Sequence, residues 1–174
     1  IVINICYLPT MIKNFVGDGS RWGLNVSYSE ENPVLETAGG IKNALPYLGD
    51  EPFLVINADI FSNFDYSKLR LINLNKTYDG YLVLVENPEH NLTGDFGLSE
   101  NNYVVTNSAN LHTFSGIAVY HPRFFNSLKT GVRMRLLPLL KTSISNSLIK
   151  GELFKGMWSD IGTPKRLALI NKED

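Results

Sequence analysis

The chain has 174 residues, of which 44% are hydrophobic, which is enough for a globular core. Its 16 basic and 17 acidic residues nearly balance, so no overall field attracts a nucleic acid or an anionic membrane, and neither is expected as a partner. The single cysteine, Cys6, cannot form an internal disulfide, and these residues contain no signal-peptide pattern. We therefore expect a cytoplasmic protein that binds a small ligand or another protein.

Apolar runs typical of strands alternate with segments that carry helix signals, and this alternation predicts an α/β fold. The strand-like runs are residues 1–5, 26–28, 53–57, 81–86 and 114–120. We predict helices over residues 38–45 and 66–75, capped by Thr37 and Asp65, and a further helix opened by Pro122. The chain then continues with a helix over residues 133–145, a strand at 152–154 and a last helix over Pro164–Ile170.

Two segments depart from this alternation. Residues 1–5 form an apolar run with no polar residue before it, so we expect that upstream secondary structure of the same sheet is absent from this chain. Residues 95–98, 103–105 and 111–120 are short strand candidates broken by Asn, Gly and Glu. This second pattern predicts a small antiparallel insertion.

Residues 53–57 are apolar throughout and are expected to form a central parallel strand that is buried on both faces. In open α/β sheets ligands bind at the carboxyl ends of the strands, so Asn57 and Asp59 are candidate site residues. Asp160 follows a second apolar stretch, and neither aspartate has an obvious cation nearby. Carboxylate oxygens suit Mg²⁺, although a turn or a helix cap is the alternative role for either aspartate alone. We predict that both bind one Mg²⁺, with their oxygens within ~5 Å of each other.

Four motifs occur in the order and approximate spacing of the sugar-phosphate nucleotidyltransferases. They are Leu-Glu-Thr-Ala-Gly-Gly-Ile at residues 35–41, Asn-Ala-Asp-Ile at 57–60, Thr-Phe-Ser-Gly-Ile at 113–117 and Trp-Ser-Asp-Ile-Gly-Thr-Pro at 158–164. With residues 17–23 the resemblance spans nearly the whole chain. The first motif, with Gly94 to Phe96 and Gly151-Glu152, resembles the N-acetylmuramic acid 1-phosphate uridylyltransferases. Mannose-1-phosphate guanylyltransferases are the alternative, and they more often have glycine where this chain has Glu36.

The resemblance implies a Rossmann-like, mostly parallel sheet flanked by helices, of the nucleotide-diphospho-sugar transferase type, in a single domain over residues 1–174. It also implies that a sugar 1-phosphate attacks the α-phosphorus of a nucleoside triphosphate, here UTP, and that pyrophosphate is released. Asp59 and Asp160 would bind the Mg²⁺ that reduces repulsion between these anions.

The resemblance also assigns residues to two binding regions. The nucleotide would contact Glu36, Thr37, Ala38, Gly39, Gly40 and Asn57, and the sugar would contact Gly94, Asp95, Ser115, Gly116 and Glu152. Helix packing is the alternative explanation of the glycines near residue 39, and Glu152 is equally well read as a solvated strand carboxylate. We interpret His90, His112 and His121 as structural polar residues.

The family's glycine-rich phosphate loop, with its arginine and lysine, does not occur in these residues. Residues 17–21 contain two glycines, but Asp18 would repel phosphate, so we interpret this segment as a turn. We therefore expect no catalytic residue beyond the metal ligands, no transferase activity from this chain alone, and an exposed sheet edge at residues 53–57 that permits self-association. A non-catalytic homologue that binds sugar or nucleotide is the alternative. An unrelated dinucleotide-binding enzyme is disfavoured because Gly-x-Gly-x-x-Gly is absent.

Overall fold

The computed structural model describes residues 1–72, 74 and 77–171. Residue contacts divide the chain into two compact units, formed by residues 1–51 with 122–140 and by residues 52–121 with 141–174. The expectation of a single domain that lacks its first strand stays a prediction. Within the described ranges, every helix is too short or too polar to cross a membrane.

The first unit contains a parallel pair of strands and a long helix. Its elements are β1 (Val2–Ile5), α1 (Pro9–Val16), β2 (Ser27–Glu30) and α2 (Glu36–Leu48), with short 3-10 helices at Ser20–Trp22 and Pro122–Phe125. β1 pairs with β2 in parallel, with Val2 opposite Ser27. α2 contributes the buried side chains of Ala38, Ile41 and Ala44 to the core of this unit.

The helices of this unit differ from the sequence prediction. α1 was not predicted, although Pro9 occupies its start and Gly17 follows its end, as is common for helices. α2 begins at Glu36, with Leu35 in the capping position and no side-chain hydrogen bond at the cap. The predicted cap at Thr37 is therefore wrong, because the amides of Ala38 and Gly39 donate to the backbone carbonyl of Met134 instead.

The second unit contains a four-stranded sheet in the order β3-β8-β5-β9, together with two small antiparallel pairs, β4 with β10 and β6 with β7. β5 and β9 pair in parallel, and β8 runs antiparallel to both β3 and β5. The strands are β3 (Phe53–Ile56), β4 (Ile60–Ser62), β5 (Gly80–Val85), β6 (Gly97–Leu98), β7 (Val104–Val105), β8 (Thr113–Tyr120), β9 (Ile149–Phe154) and β10 (Trp158–Asp160). Helix α3 spans Leu136–Ser145 and helix α4 spans Pro164–Ile170.

β3 is an edge strand among the described residues, since it pairs only with β8 and that pairing is antiparallel. The side chains of Leu54 and Ile56 are 40% and 43% exposed. The prediction of a central, fully buried parallel strand is therefore wrong. A short apolar run does not by itself distinguish an edge strand from a central one. The expected exposed edge at this strand is present within the described part of the chain.

Several other predicted elements match the structure. The antiparallel insertion is confirmed by β6 and β7, and the last helix has its predicted bounds. Asp65 caps a 3-10 helix at Tyr66–Leu71. Its carboxylate accepts hydrogen bonds from Ser67, and these bonds lower the pKa of Asp65. That helix ends before the predicted bound, and residues 73 and 75 of the prediction lie outside the described residues. A hydrophobic core under the sheet is formed by Phe64, Leu69, Leu74, Val83, Ile117 and Val119.

Candidate active site

The antiparallel pair β4–β10 brings the two candidate metal ligands together. Asp59 immediately precedes β4, and Asp160 ends β10 opposite Ile60. The amide of Ile161 donates a hydrogen bond of 2.7 Å to the carbonyl oxygen of Asp59. Two aspartates that are distant in sequence therefore occupy neighbouring positions, as predicted, while the separation of their carboxylate oxygens stays a prediction.

The carboxylate of Asp59 is exposed and forms no hydrogen bond or ion pair with any described residue. It lies close to the backbone of the following turn, because a Cβ on Gly162 would be 2.9 Å from Oδ2 of Asp59. Glycine at position 162 leaves room for this carboxylate. Asp59 therefore presents both of its carboxylate oxygens next to β10.

The carboxylate of Asp160 is half-buried and contacts two nitrogen-bearing side chains. Its Oδ1 lies 2.7 Å from Nε of Arg166, and its Oδ2 lies 2.9 Å from Nε2 of His90. The expectation that Asp160 has no nearby cation is therefore wrong. His90, which we interpreted as a structural polar residue, contacts the carboxylate of a candidate metal ligand. The sequence gives no signal for His90, which is 70 positions away from Asp160.

The position of Arg166 follows from the start of α4. The hydroxyl of Thr163 accepts a hydrogen bond of 3.3 Å from the amide of Arg166, and Pro164 occupies the first turn. The guanidinium of Arg166 therefore projects from the first turn of α4 towards Asp160. In the sequence, the signal that places Arg166 near Asp160 is the predicted start of the helix at Pro164.

The donor chemistry of Asp59 and Asp160 fits Mg²⁺. This ion takes one or two carboxylates from the protein and completes its octahedron with phosphate oxygens and water. Within the described ranges, no group of three or more His, Cys, Asp and Glu side chains could hold a metal by itself, as transition-metal sites usually do. Asp59 offers free oxygens, and Asp160 offers oxygens that Arg166 and His90 already orient.

Asn57 and Gly116 meet at the same end of the sheet. The amide of Asn57 donates to the carbonyl oxygen of Gly116 at 2.9 Å. Gly116 has φ of +78°, and a Cβ there would lie 2.7 Å from Nδ2 of Asn57, so only glycine fits. The indole Nε1 of Trp158 donates to the carbonyl oxygen of Ser115 at 3.0 Å and ties β10 to this turn. A predicted nucleotide residue and a predicted sugar residue are thus neighbours.

The side chain of Ser115 has a structural role. It is fully buried, its hydroxyl donates to the carbonyl oxygen of Val83 at 2.7 Å, and it accepts from the amide of Ile117 at 3.1 Å. These bonds lie where the register of β5 and β8 shifts, between Val83 and Leu84. The Ser115 hydroxyl is hydrogen-bonded within the sheet, and the predicted sugar contact of Ser115 stays a prediction. The backbone of Gly116, in the same motif, also stays a candidate.

The carboxylate of Asp95 contacts the backbone just before Ser115 and Gly116. Its Oδ2 accepts hydrogen bonds from the amide of Phe114 at 2.8 Å and from Nδ2 of Asn91 at 3.3 Å. Its Oδ1 forms no hydrogen bond with any residue that the structure describes, and the side chain is exposed. Gly94 has φ of +67°, and a Cβ there would lie 2.7 Å from the carbonyl oxygen of Leu111. Asp95 can therefore orient the turn and still offer one oxygen to a hydroxyl group.

Glu152 lies in the parallel strand β9, opposite Val83. Its half-buried carboxylate makes no hydrogen bond within the described part of the chain. Burial raises the pKa of Tyr81 to about 12, and the negative charge of Glu152 adds to this shift. The Glu152 charge is therefore close to the phenol of Tyr81 on one face of the sheet.

In the first unit, the start of α2 is clamped by the segment around Met134. The amides of Ala38 and Gly39 both donate to the carbonyl oxygen of Met134 at 3.1 Å, and the amide of Met134 donates to Leu35 at 2.9 Å. A Cβ on Gly39 would lie 2.5 Å from the carbonyl oxygen of Val132. The close approach that requires this glycine is made by protein backbone, which supports the packing explanation at this position.

The next glycine, Gly40, is also surrounded by protein atoms, since a Cβ there would collide with the Glu31 carboxylate and the Asn4 amide. The two residues that precede Ala38, Glu36 and Thr37, have amides that are not bonded to Met134. The amides of Glu36 and Thr37 form no hydrogen bond with any described residue, and the side chain of Thr37 is exposed. Glu36 and Thr37 are therefore the part of this predicted nucleotide segment that presents free polar groups.

The chain is similar to known proteins in sequence and in fold. The sequence profile of the nucleotidyl transferase family matches residues 1–115. The chain is 40% identical over 172 residues to an N-acetylmuramate alpha-1-phosphate uridylyltransferase from Neisseria meningitidis, covering 96% of this chain and 74% of that protein. It is 24% identical to a mannose-1-phosphate guanyltransferase from Hypocrea jecorina, with 95% of this chain and 48% of that protein covered.

Solved structures support the same fold. HddC from Yersinia pseudotuberculosis matches with a TM-score of 0.76 and 22% identity, over 99% of this chain and 77% of that chain. The inositol-1-phosphate CTP transferase from T. maritima matches with a TM-score of 0.72 and 16% identity, over 99% of this chain and 74% of that chain. These likenesses confirm the predicted α/β fold.

Proposed function

Because this chain belongs to the nucleotidyl transferase family, we propose that it transfers a uridylyl group from UTP to N-acetylmuramate 1-phosphate and releases pyrophosphate. The observation that carries the choice of substrates is the 40% identity to the Neisseria uridylyltransferase, compared with 24% to the Hypocrea guanyltransferase. This function is consistent with a cytoplasmic enzyme of nucleotide-sugar synthesis in the recycling of peptidoglycan.

In the proposed reaction a phosphate oxygen of the sugar 1-phosphate attacks the α-phosphorus of UTP, and the bond to the β-phosphate oxygen breaks. Both reactants are anions, so the protein must hold them in line and reduce their repulsion. Asp59 and Asp160 would hold Mg²⁺, which when bound neutralises phosphate charge. Arg166 and His90 orient the carboxylate of Asp160, and Gly162 keeps the space beside Asp59 open.

The remaining candidate residues would bind the two substrates. We propose that the backbone amides of Glu36 and Thr37 contact the base, that Ala38 to Gly40 keep the start of α2 in place, and that Asn57 contacts the nucleotide beside Gly116. The free oxygen of Asp95 and the carboxylate of Glu152 would accept hydrogen bonds from sugar hydroxyls, and the backbone of Gly116 would also contact the sugar.

A pyrophosphate-release assay of the full-length protein tests the substrates. UTP and GTP are each combined with N-acetylmuramate 1-phosphate and with mannose 1-phosphate, in the presence of Mg²⁺. We expect turnover with UTP and N-acetylmuramate 1-phosphate to exceed every other combination by at least about tenfold, as sites that hydrogen-bond a base discriminate strongly. Preference for GTP with mannose 1-phosphate would instead assign a guanylyltransferase. Nucleotide binding without turnover in any combination would assign a non-catalytic homologue.

We also propose that the outer edge of β3 pairs with another strand when the 174-residue chain is isolated. The amide of Asn57 points to β8, so by the alternation of antiparallel pairing the amides of Leu54 and Ile56 point to the open edge. Exposed apolar side chains on an unpaired edge favour association.

Sedimentation of the isolated chain and of Leu54→Lys tests this edge, because an edge lysine opposes strand addition without removing a bond to β8. We expect the wild-type chain to associate and the variant to be monomeric, and we expect the isolated chain to bind UTP more weakly than the full-length protein. A monomeric wild-type chain with full-length affinity for UTP would contradict the proposal.

A further inference from the structure

The backbone of Glu36 has an unusual conformation at a position that the proposed function assigns to the base. Its φ is +61°, in the left-handed region that favours glycine and is uncommon for other residues. A residue with a Cβ persists there only when its surroundings hold it. The conformation of Glu36 matters because its amide and that of Thr37 are the unbonded polar groups in the first turn of α2.

Two sets of contacts surround this residue. The backbone clamp at Met134 begins with Leu35 before Glu36 and resumes with Ala38 after it, so both ends of the short segment are fixed. Glu36 and Thr37 lie within this interval and take no part in the clamp. The side chain of Glu36 is therefore the part of the residue through which its own conformation can be held.

An ion pair holds that side chain. Nη2 of Arg133 donates to Oε1 of Glu36 at 2.5 Å, and Nε of Arg135 lies 3.8 Å from the same oxygen. Arg133 is next to Met134, so the residue that restrains the side chain belongs to the segment that clamps the backbone. The side chain of Arg133 is 63% exposed, and exposed ion pairs contribute little to global stability. This ion pair can therefore restrain the local conformation of Glu36 while contributing little to global stability.

We propose that Arg133 is a positioning residue for nucleotide binding, which acts by holding Glu36 in its left-handed conformation. The inference rests on the proposed function for the identity of the ligand. Arg133 does not need to touch the nucleotide. Its ion pair keeps the amides of Glu36 and Thr37 in the arrangement that meets the base, and Arg135 assists at longer range.

Glycine provides a direct test of this role because it adopts positive φ without a side-chain restraint. Loss of Arg133 frees Glu36 to leave its native conformation, whereas loss of both side chains leaves a glycine that can adopt it unaided. Arg133→Ala should therefore impair nucleotide binding, and Glu36→Gly should restore binding in the double variant. An arginine that contacted the nucleotide itself would not be rescued in this way.

The experiment measures KM for UTP, KM for the sugar phosphate and kcat in the full-length protein. We expect Arg133→Ala to raise KM for UTP about fivefold to tenfold, with kcat and the KM of the sugar phosphate unchanged. The double variant Arg133→Ala with Glu36→Gly should return within about twofold of the wild type. Lys129→Ala removes an exposed cation of the same unit that has no ion pair within the described residues, and it should leave all three constants unchanged.

Hydrogen exchange of the amides of residues 36 to 39 without nucleotide provides a second readout that is independent of turnover. Arg133→Ala should accelerate exchange of these amides, and the double variant should reverse the increase. A wild-type KM in Arg133→Ala, or an increase that the double variant does not reverse, would overturn the positioning role. If the wild-type protein used no nucleoside triphosphate, the proposed function would fail, and the exchange rates would still decide whether Arg133 holds this segment.

Discussion

The start of α2 and the aspartate pair beside β4 are held in different ways. The first is fixed by backbone hydrogen bonds to Met134 and by a backbone oxygen of Val132 packed against Gly39. The second is fixed by the ends of side chains, since Asp160 contacts Arg166 and His90 while the carboxylate of Asp59 stays free. A segment held by backbone atoms has little freedom to adjust, whereas a pair of side chains held at their ends can move. The two regions should therefore respond differently to substitution.

The largest expected effect is on turnover when Asp59 becomes Asn. The isosteric change removes a negative charge from the proposed Mg²⁺ site, so we expect kcat to fall about 100-fold or more. Stability should change by less than about 0.5 kcal/mol, because the side chain is exposed and forms no hydrogen bond or ion pair with a described residue. Steady-state kinetics and thermal unfolding measure the two effects. The exposed carboxylate of Glu100 supplies the control, and Glu100→Gln should retain full activity. Wild-type turnover in Asp59→Asn at saturating Mg²⁺ would remove this aspartate from the site.

The next effect is on stability when Gly39 becomes Ala. The added methyl would lie 2.5 Å from the carbonyl oxygen of Val132, and a backbone oxygen cannot move aside without breaking the clamp. We expect a loss of about 2–3 kcal/mol in the free energy of unfolding, in the range of overpacked interiors. Denaturant unfolding measures it. An alanine variant as stable as the wild type would show that the clamp can adjust, and the contrast between the two regions would be lost.

The smallest effect is expected when Gly162 becomes Ala. Here the added methyl would lie 2.9 Å from a carboxylate oxygen of Asp59, which can rotate away. We expect a loss of stability below about 1 kcal/mol, together with a several-fold fall in kcat because the carboxylate is displaced. The same unfolding and kinetic measurements apply. A larger loss of stability than in Gly39→Ala would reverse the order that the two environments predict.

The sequence predicted the residues of the site more completely than their roles. The motifs of Asp59, Asp160, Asn57 and Gly116 identified them as candidates, and the structure places Asp59 next to Asp160 and Asn57 next to Gly116. His90 carried no signal, since its contact with Asp160 depends on tertiary packing. Ser115 lies in the right motif, but periodicity does not reveal that a strand bulge turns its hydroxyl into the sheet.

The sequence likewise predicted the class of the fold and some of its elements, but not the arrangement of every element. The alternation of strands and helices identified the α/β class and the bounds of α4. The open edge of β3 was predicted, but its antiparallel pairing with β8 was not, because an apolar run of this length does not show the direction of the neighbouring strand. The cap of α2 was misplaced because the backbone carbonyl of Met134, from a distant segment, accepts from the amides of Ala38 and Gly39, and no local sequence signal reports such a partner.

Anomalous diffraction from crystals of the full-length protein with UTP and Mn²⁺ tests the aspartate pair most directly. We expect one anomalous peak within about 2.2 Å of a carboxylate oxygen of Asp59 and of Asp160, in contact with phosphate oxygens of the nucleotide. That result would also give the separation of the two carboxylates, for which we predict ~5 Å or less. A metal peak that contacts the nucleotide but neither aspartate would contradict the account.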